Sequence, residues 1–174
     1  FVDSWRWQGV PFYLRSGKAL KDKTTEITIK FKRPPLSLFP LPDDYEFDSN
    51  MLSICVQPDE GMHLQIEAKV PDTEAEMRPV SLEFHYDSTF GKGVIPEAYE
   101  RLLLDALGGD ASLFTRGDSI ELAWGIIDPI LNGWESDSAP PLVKYERGTW
   151  GPDASDDLLD ALDHHWQLGC GGHA

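Results

Sequence analysis

Eight of the fifteen Lys and Arg residues of this 174-residue chain fall in positions 1–33, against only Asp3, Asp22 and Glu26. That stretch is net +5 and the remainder is −20. A local surplus of cationic side chains is what a site for a small anion, such as a phosphate ester, requires. A solvated strand edge facing acidic neighbours uses the same composition, and charge alone does not choose between them. Within the stretch, Ser16-Gly17-Lys18 lacks the upstream glycine and the following Ser or Thr of a phosphate-binding loop, and no Gly-x-Gly-x-x-Gly occurs. The chain by itself is therefore expected to hold no nucleotide. Asp59 and Glu60 are adjacent on a turn and point apart, so they do not read as an acid and base pair. His164, His165, Cys170 and His173 could ligate a metal, but they lack fixed ligand spacing and lie in a glycine-rich tail. They read as a disordered terminus with no metal.

These groups sit in a chain whose bulk properties exclude several classes. A formal charge of −15 argues against non-specific nucleic-acid binding, which needs Lys and Arg to neutralise phosphates. No run approaches the length of a membrane span. The two cysteines, Cys55 in a strand-like run and Cys170 in the tail, are too few and too differently placed for a disulfide framework, so a reducing, cytoplasmic setting is expected. The opening Phe1-Val2-Asp3-Ser4-Trp5 has no signal-peptide pattern and reads as cut from something longer. One domain over residues 1–174 is the expectation for this size.

The elements that must position any site follow from hydrophobic period. Residues 25–31 alternate apolar and polar with β-branched enrichment and read as a half-buried strand, ended by Arg33-Pro34-Pro35. Residues 36–49 read as a surface loop whose Leu36, Leu38, Phe39 and Leu41 pack onto something. Residues 51–57 and 62–69 form a hairpin around Pro58-Asp59-Glu60-Gly61, with glycine supplying a positive φ. Residues 80–86 supply a fourth strand, on which His85 falls in the polar phase and reads as a surface histidine. The period then changes to 3.6. Pro96 precedes a stripe of Tyr99, Leu102, Leu103, Ala106 and Leu107 that stops at Gly108-Gly109. A second helix starts near Asp118, a candidate N-cap, and carries Ile120, Trp124, Ile127 and Leu131, with Pro129 expected to kink or end it. Both stripes are expected to face a core. A short strand is expected at residues 142–145 and a last helix from about 153 to 162. Strands first and helices after, with hairpin-length connections, predict an α+β fold: a largely antiparallel β-sheet with helices packed on one face.

Specificity comes from long segments in a fixed order. Trp7-Gln8-Gly9-Val10-Pro11-Phe12-Tyr13-Leu14-Arg15-Ser16-Gly17-Lys18-Ala19-Leu20 closely resembles the W-x-G-V-P-F-x-L-R-x-G-K-x-L segment of glucose-6-phosphate dehydrogenases. Gln57-Pro58-Asp59-Glu60-Gly61, the run from Pro96 to Ala106, the run from Gly109 to Arg116 and the run from Trp124 to Leu131 each resemble their family counterparts at family spacing. The resemblance covers residues 1 to about 166 and corresponds to roughly the last third of such an enzyme. It implies an oxidoreductase that oxidises glucose 6-phosphate to 6-phosphogluconolactone, in the pentose phosphate pathway, and passes hydride to NADP or sometimes NAD. The implied Rossmann domain that holds NADP, and the His base assisted by an Asp, lie upstream in the family layout, so no catalytic residue is expected here. What this segment is implied to contribute is substrate binding: Lys18 matches the lysine beside the sugar phosphate, Lys23 a second basic position, and Gln57 a further polar contact. An ammonium is a compact charge suited to a phosphate dianion or a sugar hydroxyl.

Some members of the family bind a second, structural NADP against the sheet through basic side chains. Here Arg15 is retained, but Thr24, Thr28 and Cys55 stand where that cluster carries positive charge, so no structural NADP is expected. The family's sheet also forms its subunit contact, which implies a homodimer or tetramer. The alternative reading is a non-catalytic assembly or regulatory module that kept the sheet and lost the chemistry. A sugar-phosphate-binding module working alone is disfavoured, because its site would be half built.

Overall fold

Alternation of β-branched and polar residues extends the chain where the pattern predicts. The computed structural model describes residues 2–34, 36, 49–74 and 76–170. Strands β1 (Thr25–Lys30), β2 (Met51–Gln57), β3 (Gly61–Lys69) and β4 (Met77–His85) pair antiparallel in chain order, β1-β2-β3-β4. Gly61 does not take the positive φ expected of it. Its lack of a side chain serves the sheet instead: a Cβ there would lie 2.2 Å from the carbonyl oxygen of Phe84 on the neighbouring strand. Leu36 is exposed, and Leu38, Phe39 and Leu41, expected to pack, lie outside the described residues.

Register sorts the strand residues onto two faces. The rows Glu26-Cys55-Gly61-His85 and Thr28-Ser53-His63-Glu83 lie on one, and Ile27-Ile54-Met62-Phe84 and Ile29-Leu52-Leu64-Leu82 on the other. The polar face is the more deeply buried one. Ser53, Cys55 and His63 are buried, whereas Ile27, Ile29, Met62 and Leu82 are exposed.

The cause is residues 169 and 170, which lie on the polar face. Cys170 forms a disulfide with Cys55, 115 positions away, and its N–H donates to Glu26 Oε2 at 3.0 Å. A Cβ on Gly169 would lie 1.7 Å from Ser53 Oγ. The expectation of two uncommitted cysteines is thus corrected, because sequence distance says nothing about where a returning chain end lands. His85 is corrected likewise. It is half-buried, its ring centroid 5.0 Å from that of His63 and its Nδ1 3.1 Å from Asp59 Oδ2.

Helix α1 (Tyr86–Phe90) turns the chain where the strand pattern ran on to Tyr86, and packs on β4 with the Phe84 and Tyr86 rings 4.9 Å apart. Helix α2 (Ala98–Gly108) ends as predicted: Gly109 takes φ 72°, and the Asp110 N–H donates back to Asp105 O at 2.8 Å. Helix α3 (Gly117–Trp134) continues through Pro129 rather than ending there, and Asp118, expected as its N-cap, lies in its first turn paired with Arg116 at 2.7 Å. Among the described residues helix α4 (Ala154–Asp160) is the last element. Residues 142–145 form no strand.

The stripes expected to face a core do not do so within this chain. Tyr99, Leu103 and Leu107 of α2 and Ile120, Trp124, Ile127 and Leu131 of α3 are exposed. The buried residue of α2 is Asp105, with Arg101 Nε 3.1 Å from its carboxylate. No described helix is long and apolar enough to cross a membrane. The chain divides into two compact units. The first is Phe1–Lys23 with Val143–Trp166, and the second is Thr24–Leu142 with Gln167–Ala174.

Candidate functional site

Lys18 and Lys23, two of the three residues singled out for substrate contact, lie in the first unit; Gln57 lies in the second. Residues 13–21 have no helical or ladder partner within their own stretch, so their backbone groups must be satisfied from elsewhere. Residues more than a hundred positions later do this. The Tyr145 hydroxyl donates to the Lys18 carbonyl oxygen at 2.7 Å. Gly148 N–H donates to Ala19 O at 2.9 Å, and Lys21 N–H donates to Thr149 O at 2.9 Å. Ala19 sits at φ 55°, a left-handed conformation that a residue with a Cβ keeps only when its surroundings hold it. The side chains of Lys18 and Lys23 are exposed, and among the described residues neither is paired with a carboxylate.

Upstream of Lys18 the same segment is held by its side chains. Tyr13 and Arg15 are half-buried while Leu14 between them is exposed, the alternation of an extended chain. The Tyr13 hydroxyl lies 2.7 Å from His164 Nδ1, and its ring meets the rings of His164 and Trp166 edge-on. The Arg15 guanidinium lies 4.8 Å from the Trp150 ring centroid and 4.4 Å from that of Trp166. In the same unit Leu159 of α4 is 1% exposed and is the buried apolar side chain among the described residues there. Tyr145, Trp150 and Trp166 were not singled out in the sequence. Tyr145 reads there as a strand residue and Trp150 as part of a turn, and no local signal says that they return to Lys18 and to Arg15.

Gln57 ends β2, with its side-chain amide donating to Thr25 Oγ1 at 2.9 Å and its backbone carbonyl accepting from Thr24 Oγ1 at 3.3 Å. Its side chain is exposed, with one amide proton and the carbonyl oxygen still to be satisfied.

The tail is not loose over residues 164–170, which corrects the expectation for that stretch. His164 meets Tyr13, His165 Nδ1 lies 3.0 Å from Asp160 Oδ1, and Cys170 is bonded to Cys55. His173 lies outside the described residues. Among the described residues no three His, Cys, Asp or Glu groups converge as for a metal. A shallow cavity of about 200 Å³ is lined by Asp156, Leu159, Asp160, His165 and Trp166, and neither Lys18 nor Lys23 lines it. Its carboxylates make it unsuited to an anion.

Known proteins of one kind resemble this chain. The family model described as glucose-6-phosphate dehydrogenase, C-terminal domain, matches residues 1–167. The chain is 43% identical over 167 residues to the glucose-6-phosphate 1-dehydrogenase of Treponema pallidum, covering 95% of the chain and 32% of that protein. It is 46% identical over 166 residues to glucose-6-phosphate 1-dehydrogenase 2 of Mycobacterium bovis, again covering 95% of the chain and 32% of the relative. The crystal structure of glucose-6-phosphate 1-dehydrogenase from Mycobacterium avium superposes with a TM-score of 0.73 at 37% identity, over 96% of this chain and 33% of that one. A glucose-6-phosphate dehydrogenase in complex with its substrate glucose 6-phosphate gives 0.74 at 34% identity, over 87% of this chain and 30% of that one. The chain spans about a third of the length of the curated relatives it matches. The match runs through the Lys18 segment, the antiparallel sheet and the helices alike, and the chain belongs to the glucose-6-phosphate dehydrogenase C-terminal domain family.

Proposed function

We propose that this chain is the substrate-holding and oligomerising part of an NADP-dependent dehydrogenase that oxidises glucose 6-phosphate to 6-phosphogluconolactone. The observation that carries the reading is the Lys18 segment: an exposed ammonium on a backbone fixed by Tyr145, Gly148 and Thr149, in a chain of this family. Lys18 meets the sugar phosphate, Lys23 adds a second positive charge, and Gln57 offers a polar contact. The coenzyme domain and the catalytic base belong to the rest of the enzyme, so this chain alone is inactive. A charge-assisted hydrogen bond contributes about 1.5–3 kcal/mol, so Lys18→Ala in the full-length dehydrogenase raises the KM for glucose 6-phosphate roughly ten- to hundredfold while the KM for NADP stays put. An unchanged KM for the sugar phosphate would remove Lys18 from the site.

The same reading gives the exposed apolar surfaces a use. The Ile27, Met62 and Leu82 face of the sheet meets a second subunit, and the stripes of α2 and α3 are covered by the rest of the enzyme. No structural NADP binds against the sheet. Thr24, Thr28 and Cys55 offer no cation there, and Gly169 and Cys170 already lie against Ser53 and Cys55. A cytoplasmic setting rests on the family reading alone, since the Cys55–Cys170 disulfide removes the argument from uncommitted cysteines.

A further inference from the structure

We infer that Tyr145 is a positioning residue for Lys18, an inference that rests on the reading of Lys18 as the sugar-phosphate contact. A lysine ammonium rides on four methylenes, so its reach is set by the direction in which its Cα projects the side chain. That direction depends on the peptide plane joining Lys18 to Ala19. The carbonyl of that plane is the one the Tyr145 hydroxyl holds at 2.7 Å. On either side the backbone resists little by itself: Gly17 has the widest conformational freedom of any residue, and Ala19 sits at φ 55°, where an L-residue is not at rest. The next two peptides are held by main-chain bonds, from Gly148 N–H to Ala19 O and from Lys21 N–H to Thr149 O. Of these three bonds only that of Tyr145 comes from a side chain, so one oxygen atom controls the plane that aims Lys18.

Gly17 fits the same account. A Cβ at that position would lie 2.9 Å from the Tyr145 hydroxyl oxygen, so the glycine leaves the space through which the tyrosine reaches the carbonyl. Tyr145 is 38% exposed, which leaves its ring free of any core role that could explain its placement. Its hydroxyl touches the backbone of Lys18, and its effect on the substrate passes through that residue.

The test is a double-mutant cycle in the full-length dehydrogenase, with glucose 6-phosphate and NADP as the varied substrates. Tyr145→Phe is expected to raise the KM for glucose 6-phosphate about three- to tenfold, the worth of one neutral hydrogen bond, with the KM for NADP unmoved. In a Lys18→Ala background the same change is expected to add nothing, because the residue through which it acts is gone. Equal, additive effects in both backgrounds would overturn the inference, as would a lowered melting temperature with both KM values unchanged. If Lys18→Ala raises the KM and Tyr145→Phe does not, the positioning role falls while Lys18 keeps its own. If neither variant moves it, the reading of Lys18 falls first. Should Tyr145→Phe not fold, Gly17→Ala displaces the same hydroxyl from the other side without removing it, and an unchanged KM there overturns the inference equally.

Discussion

The two units of this chain are built by opposite strategies. The sheet of the second unit is made of neighbours: β1, β2, β3 and β4 pair in chain order, each strand with the next. The first unit is made of strangers, residues 1–23 and 143–166, and the segment carrying Lys18 draws its hydrogen bonds from Tyr145, Gly148 and Thr149. A ladder closes short loops and cooperates along its length, so no single side chain decides it. A segment held by a few distant residues depends on each of them, because the chain between has to be ordered before any contact forms. The family resemblance fell on the Lys18 segment, and the physics that holds that segment lies elsewhere in the sequence.

The largest test of this contrast is the buried side chain of the first unit. Leu159→Ala leaves a cavity where Leu159 is 1% exposed and is expected to cost about 2–5 kcal/mol. Hydrogen exchange is the measurement to make. Faster exchange at Lys21 N–H and Gly148 N–H with protection kept in β2 and β3 supports two differently built units, and uniform loss across both breaks the comparison.

Next in size is the covalent long-range tie described in the second unit. The Cys55–Cys170 disulfide spans 115 positions, and opening a disulfide typically costs about 2–4 kcal/mol of stability. Reduction is expected to lower the unfolding midpoint and speed exchange of the Cys170 N–H, while the backbone ladder of β1 to β4 stays protected. Thiol titration before reduction checks the bond itself: two titratable thiols in the untreated folded protein would contradict it and suit a reducing compartment.

The smallest expected effect is at Asp110, whose side chain accepts hydrogen bonds from the Ser112 hydroxyl and, at 2.9 Å, from the Ser112 N–H. The bonds from the Ser112 side chain and backbone hold its carboxyl below the ordinary value of 3.8. A lowered folded-state pKa means that the stabilisation is present above that ordinary value and is lost as the pH falls through the lowered one. Asp110→Ala is therefore expected to reduce the melting temperature slightly at pH 7 and to converge with the parent in acid. A gap that stays constant down to that acid range would show that the carboxylate's charge plays no part.

Much of the fold is legible in the sequence. Strands β1, β2 and β3 and the Gly109 stop of α2 follow from period and turn chemistry, which act between near neighbours. Misses have local causes that only neighbours in space supply. Gly61 serves a close strand approach rather than a turn dihedral, and Pro129 is accommodated inside α3. Of the candidate site, the residue types and motif at Lys18, Lys23 and Gln57 were legible, whereas Tyr145, Trp150 and Trp166 were not.

The sequence by itself determined which segments extend, which coil, where the positive charge collects and which family the chain resembles, since all four are written in residue type and short spacing. Only the tertiary structure decided that Cys170 returns to Cys55, that the polar face of the sheet is the buried one, and that a tyrosine 127 positions after Lys18 holds its peptide plane. Those outcomes depend on where distant stretches of chain meet, and no local spacing encodes that.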